Sequence, residues 1–406
     1  MDTSTTETLN RVLSLPLMVF FGLGNILGAG IYVLIGKVAG HAGMFTPLSF
    51  LIAAVAAVFT AFSYAELTSR YPVSAGAAVF VNEGFDLKPL SIFVGLLLVF
   101  TGTVSSATIM RGSVGYLQFF VNVPGGILIF IELFILGAIA VWGVKQSATV
   151  VALISAIEIF GLLIVIFAAR NIFGDIPERI NEFMPEFHWS SLGGISAGAF
   201  LAYYAYLGYE DMANMAEEVN EPKRNLPYSI LLSLIIATLL YMIVATVSVL
   251  ILAPDLLAQS DAPLGIVYKQ ATGSDPFLLS LISVIAVVNG ALIQIIMSSR
   301  VCYGMSRRKW LPKFFSIVHP TTRTPIVSTV IITLLVFIMA LWLPIETLAR
   351  ATSSALLIIF ILVNLALLNI KRRGGIFDAD IFTVPLWIPV AGFLVSSVFL
   401  FFQFAG

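Results

Sequence analysis

The sequence predicts an all-α integral membrane protein of about eleven transmembrane helices, arranged as two five-helix repeats of opposite orientation plus one extra helix. Three observations predict it. The chain is 59% hydrophobic and only 11% charged, whereas about a quarter of a soluble domain is charged. Its apolar runs continue for about 20 residues, the length a helix needs to cross ~30 Å of hydrocarbon, and they do not alternate with the period of two that a barrel strand requires. The first and sixth runs are each interrupted halfway by glycine, and interrupted helices at matching positions of two halves mark an inverted-repeat architecture.

Hydropathy and helix-breaking residues place the spans at 17–39, 47–68, 90–119, 125–143, 147–170, 195–219, 227–252, 277–304, 326–343, 346–369 and 384–404. Residues 1–406 then form one transmembrane domain, with the first repeat in 15–170, the second in 193–370 and the extra helix in 384–404. The first fifteen residues are polar, with Asp2 and Glu7, and do not read as a signal peptide.

Placing the N-terminus in the cytoplasm puts fifteen of the 21 Lys and Arg inside and only Lys37, Arg170, Arg179 and Lys269 outside, with Arg111 and Arg350 within spans. The positive-inside rule selects this orientation, so the expected location is the cell membrane with the C-terminus outside. The acidic residues Asp175, Glu178, Glu182 and Glu186 after span five, and Asp255, Asp261 and Asp275 after span seven, read as solvated outer loop faces. A net charge of −1 points to no nucleic-acid partner, and Cys302, being alone, forms no internal disulfide. The bilayer and a small solute are the expected partners.

Span one carries Gly24-Asn25-Ile26-Leu27-Gly28-Ala29-Gly30-Ile31 at its middle. Non-helical backbone at this depth is tolerated only where it lines a protein cavity, because each unpaired amide or carbonyl costs several kcal/mol in hydrocarbon. The outer half-helix would begin near Ala29, where free amides and the positive dipole end suit an anion. Gly28, Ala29 and Gly30 leave room for a carboxylate beside the backbone as far as Ile31. The alternative is a close helix crossing through small residues. Span six reads Tyr203-Tyr204-Ala205-Tyr206-Leu207-Gly208-Tyr209-Glu210-Asp211, a glycine among aromatics followed at once by two acids. Carbonyl ends near Ile26 and near Tyr204 to Leu207 suit an ammonium group. Together the two breaks read a zwitterion.

Four sets of residues carry a family resemblance: Gly28-Ala29-Gly30-Ile31; Tyr64-Ala65-Glu66-Leu67 with Tyr71-Pro72 and Gly76; Tyr206-Leu207-Gly208-Tyr209-Glu210 with Ala216-Glu217-Glu218-Val219 and Pro222-Lys223-Arg224; and Ser299-Arg300-Val301 with Tyr303-Gly304-Met305-Ser306-Arg307. In these the chain resembles the amino acid, polyamine and organocation (APC) superfamily, over roughly residues 15 to 325. The resemblance implies the LeuT-type fold and a secondary active transporter that moves a small amino acid by alternating access. It further implies that the carbonyls of Ile26, Tyr204 and Leu207 hold the α-amine and that the Tyr204 ring gates the site. Side-chain selectivity is expected from Ser105, Thr108, Asn289 and Ser353.

Glu158 lies about twelve residues into span five, where an ionised acid costs roughly 2.5 to 3.5 kcal/mol to insert. It is therefore expected to be neutral or paired, and it is the candidate proton-coupling carboxyl. Proton-coupled relatives with a similar start to this span, here Lys145-Gln146-Ser147-Ala148, carry a lysine at this position; Glu158 departs from them, which leaves sodium as the alternative coupling ion. Glu210 is a candidate gating acid, or a cap of the inner half of span six together with Asp211. Arg111 and Glu132 are expected to pair. His41, His188 and His319 fall in or beside loops, so neither an enzyme nor a metal or cofactor site is expected. The expected function is proton-coupled symport of an amino acid, with an amino acid or polyamine exchanger as the alternative.

Overall fold

A computed structural model describes residues 9–118, 122–174, 176–179, 183, 189–260, 262–342, 345–374 and 380–405. Its helices are α1 (Leu15–Ala42), α2 (Thr46–Arg70), α3 (Gly76–Phe85), α4 (Lys88–Gln118), α5 (Gly125–Trp142), α6 (Val144–Ala168), α7 (Ile176–Arg179), α8 (Trp189–Tyr204), α9 (Pro222–Ile251), α10 (Pro254–Ala258), α11 (Pro263–Thr272), α12 (Phe277–Arg307), α13 (Ile326–Trp342), α14 (Ile345–Arg373) and α15 (Trp387–Ala405). The β-pairing among the described residues is an isolated bridge between Leu13 and Val219. Among the described residues, eight helical stretches are long and apolar enough to cross a membrane, and α13 and most of α15 are shorter apolar helices. Span six is not among them because α8 stops at Tyr204. The protein is an all-helical, multi-pass membrane protein.

The apolar surface follows from that setting. Phe134 and Trp142 on α5, Phe167 on α6, and Phe401 and Phe402 on α15 are each at least 60% exposed. In water such a surface would aggregate; against lipid tails it has no cost. Tyr64, Tyr203, Tyr206, Tyr209 and Tyr241 are instead buried completely between helices.

Packing partners exchange when the two sets of five are swapped. The contact of α1 with α9 is matched by α8 with α2, that of α4 with α14 by α12 with α6, and that of α4 with α13 by α12 with α5. The central pairs α2 with α9 and α4 with α12 map onto themselves. The last helix, α15, packs on α14 and α2 and stacks Phe399 on Phe200 of α8, with ring centroids 5.3 Å apart.

Two expectations change here. The second half of span six is a 3-10 helix, Tyr209–Glu218, not the continuation of an α-helix to 219. The loop after span seven is more than a solvated face: it folds into α10 and α11, with Leu257, Leu264 and Val267 buried. A Cβ at Gly36 of α1 would lie 2.4 Å from the Leu257 carbonyl oxygen, so glycine is what lets α10 settle on the C-terminal end of α1. Within this loop, Asp275 accepts the Phe277 amide at 2.8 Å and so caps α12. Glu178 is exposed, while Asp175, Glu182, Glu186 and Asp261 lie outside the described residues.

Candidate functional site

Halfway along the 28-residue α1, Gly28 has φ −1° and ψ −123°, and the helical course is interrupted there. In span six α8 ends at Tyr204, residues 205–208 form a turn, and Gly208 adopts φ +123° before the 3-10 helix begins. Only glycine takes such a φ without strain. The turn keeps tight backbone bonds, Ala205 N to Ala202 O and Tyr206 N to Tyr203 O, each 3.0 Å. The sixth span thus narrows from an α to a 3-10 course at the break.

A cavity of about 340 Å³ lies between the two breaks. Asn25, Ile26, Gly28 and Gly30 form one wall and Tyr204, Leu207, Gly208 and Glu210 another. Ser105 and Thr108 of α4, Gln294 of α12, and Thr352 and Ser353 of α14 complete its polar lining. A larger hollow of about 700 Å³ lies beside the start of α9, near Arg11 and Lys223, away from both breaks. Mid-depth location and converging backbone ends, not size, mark the smaller one as the candidate site.

Side chains at the breaks form one network. Asn25 Nδ2 donates to Asp211 Oδ2 at 2.6 Å and to the Gly208 carbonyl at 2.8 Å. Gln294 Nε2 donates to the same Asp211 oxygen at 2.8 Å and to Asn25 Oδ1 at 3.3 Å. Asp211 therefore does not cap the 3-10 helix but ties span six to α1 and α12. Glu210 does the local work, accepting the Gly208 amide at 2.8 Å while forming part of the cavity wall. The Tyr204 ring lines the cavity, and its hydroxyl donates to Gln403 of α15 at 3.3 Å.

Several sequence expectations need correction. The Ile26 carbonyl, expected to hold an ammonium group, already accepts the Tyr241 hydroxyl at 2.7 Å, so one of its two lone pairs is taken. Gly30 lines the cavity, yet a Cβ there would point 3.0 Å from both the Ala205 carbonyl oxygen and the Tyr241 hydroxyl, so the missing side chain makes room for the other break. Ile31 is fully buried and the side chain of Ala29 lies outside the described residues. Asn289 does not reach the cavity: Val287, Gly290 and Gln294 of α12 do, and Asn289, about 100° round the helix from Gly290, turns to α6. Outside these corrections, Glu132 accepts Ser113 Oγ at 2.8 Å.

Glu158 is completely buried. Asn289 Nδ2 donates to its Oε1 at 2.9 Å, and its backbone carbonyl accepts the Tyr32 hydroxyl at 2.6 Å. Among the described residues, Glu158 Oε2 and Asn289 Oδ1 are both buried without a partner. A Cβ at Gly24 would sit 2.1 Å from Ser155 Oγ and 2.6 Å from Asn289 Nδ2, so the broken helix packs directly against Ser155 and Asn289.

A sequence model described as amino acid permease matches residues 13–406. The chain belongs to the amino acid permease family. Similar members include the mitochondrial cationic amino acid transporter 3 of Arabidopsis thaliana, 29% identical over 385 residues, covering 90% of this chain and 63% of the plant protein. The branched-chain amino acid permease BcaP of Bacillus subtilis (strain 168) is 28% identical over 395 residues, 91% of this chain and 83% of its own length. The methylthioribose transporter of the same organism is 27% identical over 430 residues, 99% and 90%. The chain thus spans less than two thirds of the plant transporter. These relatives are named as permeases and transporters.

Proposed function

We propose that this permease is a secondary active carrier of amino acids in the cell membrane, with its N-terminus in the cytoplasm, working by alternating access around the cavity between Gly28 and Gly208. The observation that carries the proposal is that cavity: a mid-depth space bounded by two interrupted helices, with hydroxyls and a carboxylate in its walls. The amide end past Gly28 takes the α-carboxylate. The Leu207 carbonyl and the Glu210 carboxylate take the ammonium group, and Ser105, Thr108 and Ser353 face the substrate side chain. The cationic and branched-chain amino acids in the relatives' names are the first substrates to test.

We further propose proton coupling through Glu158. Its Oε2 and the Oδ1 of Asn289 both lack a donor, and a proton on the carboxyl supplies one. A buried ionised carboxylate with a single amide donor would be far more costly. Substrate closure on α1 moves Gly24 against Asn289, whose amide donates to Glu158, and so links the proton to the cavity. In proteoliposomes, Glu158→Gln is expected to keep exchange at the wild-type rate and to lose the acceleration of uptake by an inward proton gradient. Uptake by the variant that still rises with the gradient would refute the coupling role. Saturable flux and countertransport distinguish a carrier from a channel.

A further inference from the structure

Tyr241 is the residue of α9 that both breaks share. Its hydroxyl donates to the Ile26 carbonyl at 2.7 Å and to the Ala205 carbonyl at 2.9 Å. These are not arbitrary carbonyls. In an unbroken helix Ile26 would be served by the amide of Gly30 and Ala205 by that of Tyr209, four residues on, and each of those amides lies beyond its break. Tyr241 is fully buried and is not part of the cavity wall; it approaches the breaks from behind. Its ring is fixed by Phe50 at 5.4 Å and Tyr206 at 5.1 Å.

We propose that Tyr241 is a positioning residue for substrate recognition: one hydroxyl on an unbroken helix sets the two half-helix ends at a fixed separation. A phenol has a single proton, so the two carbonyls share it. Neither can drift from the hydroxyl without leaving a buried acceptor unserved. The carbonyls are thereby turned away from the cavity. The amides past Gly28 and the 205–208 turn are held in one register, the one the charged head of an amino acid has to span. Gly30 fits the same arrangement, since a Cβ there would intrude between hydroxyl and turn. Because Tyr241 acts on the head group through backbone alone, it has no part in choosing among side chains. This inference rests on the amino acid carrier reading for its substrate but not for the clasp itself.

Two measurements on Tyr241→Phe test it. By hydrogen–deuterium exchange in detergent, backbone amides in 24–31 and in 203–210 should both exchange about tenfold faster, the size of effect one hydrogen bond supports, with α12 and α14 unchanged. In proteoliposomes supplied with labelled L-arginine, L-leucine and L-alanine, KM should rise about tenfold by one common factor for each amino acid carried, with Vmax held within twofold. Gly30→Ala, which crowds the hydroxyl from the opposite side, should accelerate exchange at the same two segments. Faster exchange at one break only, at neither, or a KM change that differs between amino acids would overturn the inference. Faster exchange at both breaks in a protein that carries none of the three would uphold the clasp and count against the amino acid reading instead.

Discussion

Glu218→Ala is expected to destabilise the protein by about 3–5 kcal/mol, the penalty for removing one member of a buried ion pair. Arg300 and Glu218 are both fully buried, and the guanidinium reaches both carboxylate oxygens at 3.1 Å. The Glu218 carbonyl also accepts the amides of Val12 at 2.9 Å and Leu13 at 3.0 Å. One residue therefore joins the N-terminal segment, the end of the 3-10 helix and α12. Taking away its carboxylate leaves Arg300 charged with, among the described residues, Ser299 Oγ at 3.0 Å as its remaining hydrogen-bond partner. Thermal unfolding in detergent measures the cost. The double variant Glu218→Leu with Arg300→Met should recover most of the loss, because replacing both members by apolar groups is often neutral. A single variant as stable as wild type would remove the pair from any account of how this end of the molecule is held shut.

The second large effect is expected at the sixth-span break. Gly208→Ala should reduce uptake at least about 100-fold while leaving membrane insertion intact. An L-residue at φ +123° is strained by about 1–3 kcal/mol. Its Cβ would also lie 2.8 Å from Asn25 Nδ2 and 3.0 Å from the Asn25 backbone carbon. The backbone atom cannot swing aside, so the two breaks must part and Asn25 must leave Asp211. Gly273→Ala is the control: its φ is +72° with nothing within 4 Å of the added carbon, so only the modest strain of a left-handed residue is expected. Uptake assays normalised to the amount of protein in the membrane compare the two. Equal losses would mean that strain alone, and not the contact with Asn25, sets the effect.

The parts of the fold governed by hydrophobic length were legible in the sequence, because bilayer thickness dictates them. The interruptions at Gly28 and Gly208 were legible for the same reason, since glycine at mid-depth has a cost that only a site repays. What stayed hidden were side-chain partnerships across helices. Tyr241 meets partners 215 and 36 residues away, and within its own apolar span it is one aromatic among many. Hydropathy places Asn289 in the right span but does not set its facing: Gly290 lines the cavity, and one residue is a rotation of about 100°. The bonds that draw Asp211 of the 3-10 segment to Asn25 and Gln294 were equally hidden, because they join three separate spans.

Recognition of both charges of one head group, by two broken helices at once, is most directly tested by counterflow inhibition. Proteoliposomes loaded with a transported amino acid are challenged from outside with that amino acid, with its decarboxylated amine and with its deaminated acid. The geometry at Gly28 and at 204–208 predicts that only the intact zwitterion competes, with either half-ligand at least about 100-fold weaker. An amine that inhibits as well as the amino acid would contradict carboxylate binding at the end of α1, and with it the proposed use of the cavity.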